Sequence, residues 1–254
     1  TEFEGQSRFE TATLSYSTIS WGTAFTKQGA EYQSEIFQNL LDNRNEVSQL
    51  VGANNSNSSQ LTPNGFYSGY SGTQQDVVLG SFMTAYSNSQ INSRNIDPLQ
   101  NTPLPNWSIN YSGLTKYKFT KKFLKSFIVR HAYSSSVSIS GMQTNLNSSV
   151  DDNGNLNSFD IDNNYIPEMQ IQNVVLSERF SPLIGIDANW IVFGHTLQTR
   201  FEYKKDRSAT LALSNNQVTE SLSEEIVVGT AARIKDVKLP IKNIKASDVN
   251  IKFD

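Results

Sequence analysis

The feature that most constrains the fold is a period of two. In FIVRHAYSSSVSIS, residues 127–140, one alternate set is Phe127, Val129, His131, Tyr133, Ser135, Val137 and Ile139. The other is Ile128, Arg130, Ala132, Ser134, Ser136, Ser138 and Ser140. Successive side chains of a strand point to opposite faces, so this segment reads as a strand between two environments, one bulky and apolar, one small and polar. A soluble sandwich would bury the first face in a core. An outer-membrane barrel would press it against lipid and turn the second toward a lumen.

The pattern recurs along the chain. Clean apolar faces are Ile184, Ile186, Ala188, Trp190; Leu197, Phe201, Tyr203; Ala209, Leu211, Leu213; and Val249, Ile251, Phe253. Opposite them stand Gly185, Asp187, Asn189; Gln198, Arg200, Glu202; Thr210, Ala212, Ser214; and Asn250, Lys252, Asp254. Further strands are expected at 9–25, with a bulge near Thr18, and at Trp107, Ile109 and Tyr111. Others are expected over 169–180 and 222–235, and within them 174–180 and 226–234 have both faces partly apolar. The fold class is therefore all-β and antiparallel. No run approaches the ~18 apolar residues of a spanning helix. The mean hydropathy of -0.43 does not exclude a membrane barrel, whose lipid-facing residues alternate with polar ones.

Numbered in order, the expected connections alternate in character. The first spans 27–106 and the third is the Asn/Asp/Ser-rich 142–168. The fifth and seventh are IVFGH and the NNQVTES region. The even ones are KYKFTKKFLKS, SPL, KDRS and DVKLPIKNIKA, and 13 of the 21 Lys plus Arg lie at that end, five in 116–125, three in 204–207 and five in 233–245. Long loops at one end and short turns at the other mark an outer-membrane barrel. The insertion 27–106 is expected to hold two short helices outside the hydrocarbon zone. One carries Ile36, Phe37, Leu40 and Leu41 at helical spacing, and the other opens at an Asp76 N-cap.

Chemistry is sparse. There is no cysteine, hence no disulfide and no thiolate metal site. His131 and His195 lack a second ligand at metal spacing, so no metal site is expected. No nucleophile elbow, phosphate loop or dinucleotide fingerprint occurs, so neither cofactor nor enzymatic activity is expected. DDNGN at 151–155 offers calcium-like oxygens without a closing bidentate Glu, and turn chemistry is favoured. Asp160 and Asp162 lack an apolar pocket that would make them paired catalytic acids. A net charge of -3 gives no reason to expect nucleic acid. The lysines of KYKFTKKFLKS suit a snorkelling girdle, with Tyr117, Phe119, Phe123 and Phe127 as interfacial aromatics. TEFEGQSRFE does not look like a native start and VNIKFD stops in mid-alternation, so an internal piece of a longer chain is expected.

Several stretches carry a resemblance: LPNWSINYSGL, KKFLKSFIVRHAYSSSVSIS, VVLSERFSPLIGID with a following Trp190, EYKKDRSATLALSNNQVTE and RIKDVKLP. In order and spacing, from about Leu104 to Pro240, the chain resembles the C-terminal part of the SprA/Sov cell-surface proteins. These supply the outer-membrane translocon of the type 9 secretion system in gliding and pathogenic Bacteroidetes. WIVFGH departs from the resemblance, with apolar residues where a polar hairpin is expected. The resemblance implies a single barrel of about 36 strands, the upper extreme for such proteins. On that basis 1–254 is part of one transmembrane β-barrel domain and supplies about nine of its strands. It also implies passage of folded cargo bearing a C-terminal signal. Further implied partners are a PorV-type barrel at a lateral opening, a periplasmic plug protein and the lipid bilayer.

So wide a barrel cannot be filled by its own side chains, and transport through it needs only a polar, low-affinity wall and a gate. The candidate lumen-facing residues are Arg130, Asp187, Asn189, Gln198, Arg200, Glu202, Asn250 and Lys252. The candidate lipid-facing residues are Phe127, Val129, Ile186, Trp190, Phe201, Tyr203, Leu211 and Ile251. Two alternatives stay open: another outer-membrane channel or receptor, and a soluble β-sandwich binding module.

Overall fold

A computed structural model of the chain describes residues 9–26, 34–58, 60–234 and 251–253. Among them the chain is mostly antiparallel sheet. The strands are β1 (Thr11–Ser17), β2 (Trp107–Tyr111), β3 (Leu124–Thr144), β4 (Met169–Gln170), β5 (Asn173–Val192), β6 (His195–Ala212), β7 (Gln217–Ile234) and β8 (Ile251–Phe253). They form one open sheet in the order β1-β3-β5-β6-β7-β8, with β2 and β4 also paired to β3. The helices are α1 (Glu35–Ala53), α2 (Gln75–Ser87) and the single turn α3 (Ser93–Ile96). None is long and apolar enough to cross a membrane.

Two expected turns are strand. β5 runs through SPL and β6 runs through KDRS, so four expected strands are two long ones. The polar run 204–207 fits a strand because its charges find partners. Lys204 meets Glu225 at 3.3 Å, Lys205 meets Glu224 at 2.6 Å, Asp206 meets Arg179 at 3.5 Å, and Arg207 meets Glu178 at 3.5 Å. Opposed charges on neighbouring strands stabilise pairing as well as apolar contacts do. The parity count changes accordingly. IVFGH becomes a two-residue hairpin whose Ile191 N–H donates to the Phe123 carbonyl, which puts it beside the lysine-rich turn. Phe193 and Gly194 both have positive φ, 49° and 77°, as a type I′ turn requires. Lys116, Lys118, Lys121 and Lys122 stay in a turn region and Lys125 lies at the start of β3, whereas Lys204, Lys205 and Arg207 lie mid-strand. Most of the basic run 233–245 lies outside the described residues.

The expected bulge is displaced as well. Pairing of β1 with β3 shifts between Ala12 and Leu14, opposite Gly141 at φ +66°. A left-handed glycine is the usual first residue of such a bulge. The phase change toward Trp21 arises because β1 ends at Ser17 and a 3-10 turn takes over at Trp21–Thr23.

The chain divides into two compact units. The first comprises Thr1–Pro105, Ser135–Glu178 and Arg207–Ser221. Its core joins strand residues Val137, Ile139, Val174, Leu176, Ala209 and Leu211 to the helical Leu79, Phe82, Met83 and Tyr86. Helix α2 is buried continuously from Val77 to Tyr86, the composition of a helix enclosed on every side. Its N-cap is Gln74, whose side chain accepts from the N–H groups of Asp76 and Val77; Asp76, the expected cap, lies in the first turn. Gly80 allows close packing, since a Cβ there would stand 2.9 Å from both Ile96 and Val47. Helix α1 is amphipathic, burying Ile36, Leu40 and Val47, and is capped by the Ser34 hydroxyl. The loop 142–168 folds onto this insertion: Asn57 donates to the Asp151 carboxylate and to the Leu156 carbonyl, and Tyr165 N–H donates to the Gly69 carbonyl.

The second unit comprises Asn106–Ser134, Arg179–Asp206 and Leu222–Asp254. It holds β2, β8 and stretches of eleven to fourteen residues from each of β3, β5, β6 and β7.

Candidate functional site: a two-faced sheet

In the second unit cross-strand contacts fix which residues share a face. Ile109 of β2 pairs with His131, and Tyr133 of β3 stacks on Trp107 at 4.4 Å and meets Phe180 of β5 at 4.8 Å. Trp190 of β5 donates its indole N–H to the Thr199 hydroxyl of β6, and Lys205 of β6 meets Glu224 of β7. Following these contacts, one face collects Phe127, Val129, Ile109, Ile184, Ile186, Trp190, Phe201, Tyr203, Ile226 and Val228, with the Lys205–Glu224 pair among them. Many of these side chains remain uncovered: Ile109 is 56% exposed, Ile184 42%, Phe201 38%, Ile226 67% and Val228 75%. Contiguous apolar area of this extent on a soluble protein marks a binding or membrane surface. His131 sits within this face. Its Nδ1 lies 2.7 Å from the Leu183 carbonyl, so Nδ1 carries the proton, and the ring is flanked by Trp107 and Phe180.

The opposite face carries an ion network. The Arg130 guanidinium contacts Asp187 at 2.6 Å and Glu202 at 2.7 Å. Arg200 contacts the same Glu202 at 2.7 Å and Asp187 at 3.9 Å. Lys204 reaches Glu202 at 3.9 Å and Glu225 at 3.3 Å. Three cations thus meet three carboxylates, and Glu202, only 3% exposed, is the enclosed hub. A buried carboxylate is stable there because its charge is matched from several sides. The face is polar and charged yet locally neutral.

Four of the expected lumen-facing residues, Arg130, Asp187, Arg200 and Glu202, are therefore brought into one cluster. Asn189 shares their face and donates to the Ser126 hydroxyl, while Gln198 is exposed. Asn250 lies outside the described residues. Lys252 and Ile251 are paired to Arg233 and Ile234 in the β7–β8 ladder. Among the expected lipid-facing set, Leu211 needs correction. It is 0% exposed and enclosed in the helix-covered core of the first unit, so it reaches no outer surface. Lys204, Glu225 and Ser126 escaped the sequence reading. Lys204 shares the parity of Gln198, Arg200 and Glu202, so period two alone would have put it on their face.

The aspartates of the long loop serve turns. Asp151 Oδ1 accepts the N–H groups of Asn153 and Asn155, and Asp160 Oδ1 accepts those of Asp162 and Asn164. The Asn155 N–H, with help from the Asn57 amide, lowers the Asp151 pKa below the usual carboxylate range. Among the described residues no group of three or more His, Asp or Glu side chains is placed to hold a metal ion. No known family model and no curated protein sequence matches the chain.

Proposed function

We propose that this chain is a segment of the wall of a wide outer-membrane barrel, and that the barrel is a protein-export conduit of the type 9 secretion kind. The observation that carries the membrane part is the exposed apolar face of the second unit, opposed by a neutralised polar face. Eleven to fourteen residues per long strand also suit a bilayer, which a tilted strand crosses in about 9–11 residues. The apolar face meets lipid and the ion network lines a water-filled lumen. A neutralised network suits a conduit, because it wets the wall without a net field that would hold cargo of either sign. The export part rests on the resemblance of the motifs between Leu104 and Pro240. On that basis cargo with a C-terminal signal, a PorV-type barrel and a periplasmic plug are the partners.

Deleting the gene and assaying secretion of C-terminally signalled proteins tests the proposal. Loss of their secretion is expected, and undisturbed secretion would sink the export reading while leaving a membrane barrel of another kind. Heat-modifiable migration of the protein from native membranes separates any barrel from a soluble sandwich, which shows none.

A further inference from the structure

The first unit contains a cavity of about 440 Å³ that the export reading does not use. It lies between the C-terminal end of α1, the first turns of α2, the turn α3, and the loop segments 97–100, 154–156 and 167–171. Its size is that of a small-ligand site. Val51, Leu79, Ile96, Leu156 and Ile171 give it an apolar interior, and the exposed Leu99, Gln100 and Glu168 lie at its rim.

The charged groups of the lining all have one sign. Asp76, Asp97 and Glu168 contribute carboxylates, and no Lys, Arg or His lines the cavity. None of the three forms an ion pair among the described residues. Asp97 is engaged only by the Leu99 N–H and the Gln100 amide, an ordinary local turn. Asp76 is different. It is half-buried on the cavity side of α2, and its Oδ2 accepts the Gln74 amide at 3.0 Å. Burial raises its pKa, with the Gln74 and Gln75 amides opposing and the charge of Asp97 adding to the rise. Elsewhere in this chain a desolvated carboxylate such as Glu202 or Glu178 faces a guanidinium. Asp76 lines the cavity instead, with no cation beside it among the described residues, which is where a cation would remove the mismatch.

We propose that this cavity binds an aliphatic chain ending in a cation, the chemistry shared by a lysine or arginine side chain of a polypeptide and a free alkylamine. The methylenes would fill the space between Leu79, Ile96 and Ile171, and the cationic head would meet Asp76 and Asp97. The proposal does not depend on the export reading and is tested without secretion.

The test is calorimetric titration of the purified full-length protein with hexylammonium, hexylguanidinium, hexanol and hexanoate. Saturable binding of both cations is expected, with hexanol and hexanoate at least about tenfold weaker. Asp76→Asn and, on the facing wall, Asp97→Asn should each weaken the cations about tenfold and leave hexanol unchanged. The comparison of isosteres needs no variant, so it stands even if one substitution unfolds the unit. A short peptide carrying one lysine among leucines, run against the same peptide with norleucine, identifies the source. Tighter binding of the lysine peptide than of hexylammonium assigns a polypeptide ligand, and the reverse order assigns a free amine. Hexanol binding as tightly as hexylammonium, or cation affinity unchanged in both variants, overturns the proposal.

Discussion

The two units treat strand residues of the same parity in opposite ways. In the first, Val137, Ile139, Leu176 and Leu211 are sealed beneath α2, with Phe82 and Tyr86 stacked at 4.6 Å in the cover. In the second, no helix among the described residues lies over Ile184, Phe201, Ile226 and Val228, and they stay open. The amino-acid types are nearly interchangeable. Alternation therefore reports that a strand has an apolar face, and what covers the face is decided by residues far away in sequence, here 35–96. Where the described residues supply a cover the face is core; where they supply none, the proposed cover is lipid.

The largest effect should come from opening the sealed side. Phe82 is fully buried among β3, β5 and β6 side chains, so Phe82→Ala should cost about 3–5 kcal/mol and lower the melting temperature of the helical signal. A loss under about 1 kcal/mol would mean that α2 is a removable lid and not the cover of a core. On the open side Ile226→Arg is more discriminating. Against lipid it should cost about 2–4 kcal/mol in urea titrations of protein refolded into vesicles, the penalty of a cation near the bilayer midplane. Facing water, the same change should stay within about 0.5 kcal/mol, and that result would remove the lipid from the comparison.

Much of this was legible in the sequence, and the failures share a cause. The face of each strand follows from period two, which needs no knowledge of neighbours, and so Arg130, Asp187, Arg200 and Glu202 fall on one face, where ion pairs join them. The turn at KDRS was misread because local composition favours a turn, whereas Glu224, Glu225, Arg179 and Glu178 on adjacent strands make those charges strand-compatible. Leu211 was misassigned for the converse reason. Its alternation is sound, but the helix that covers it is encoded more than a hundred residues earlier. The two helices themselves were visible from spacing, though α1 extends well beyond the expected segment and the cap of α2 is Gln74.

The smallest effect bears on the ion pairs, where the same contrast between sealed and open recurs. The Arg207–Glu178 pair of the first unit is enclosed, with side chains 3% and 1% exposed, whereas Lys204 and Glu225 in the second are 29% and 56% exposed. An ion pair in contact with water is worth about 0.2–1 kcal/mol and weakens with salt. Lys204→Met should therefore cost no more than that, and the cost should fade between low and high ionic strength. If the second unit's charged face were instead packed against a dry protein surface, removing Lys204 would strand Glu225 without solvent and cost several kcal/mol at any salt concentration. A small, salt-screened loss is what a water-filled lumen requires of its wall. A large, salt-insensitive one would turn this face into an interface and leave the conduit without a wet side.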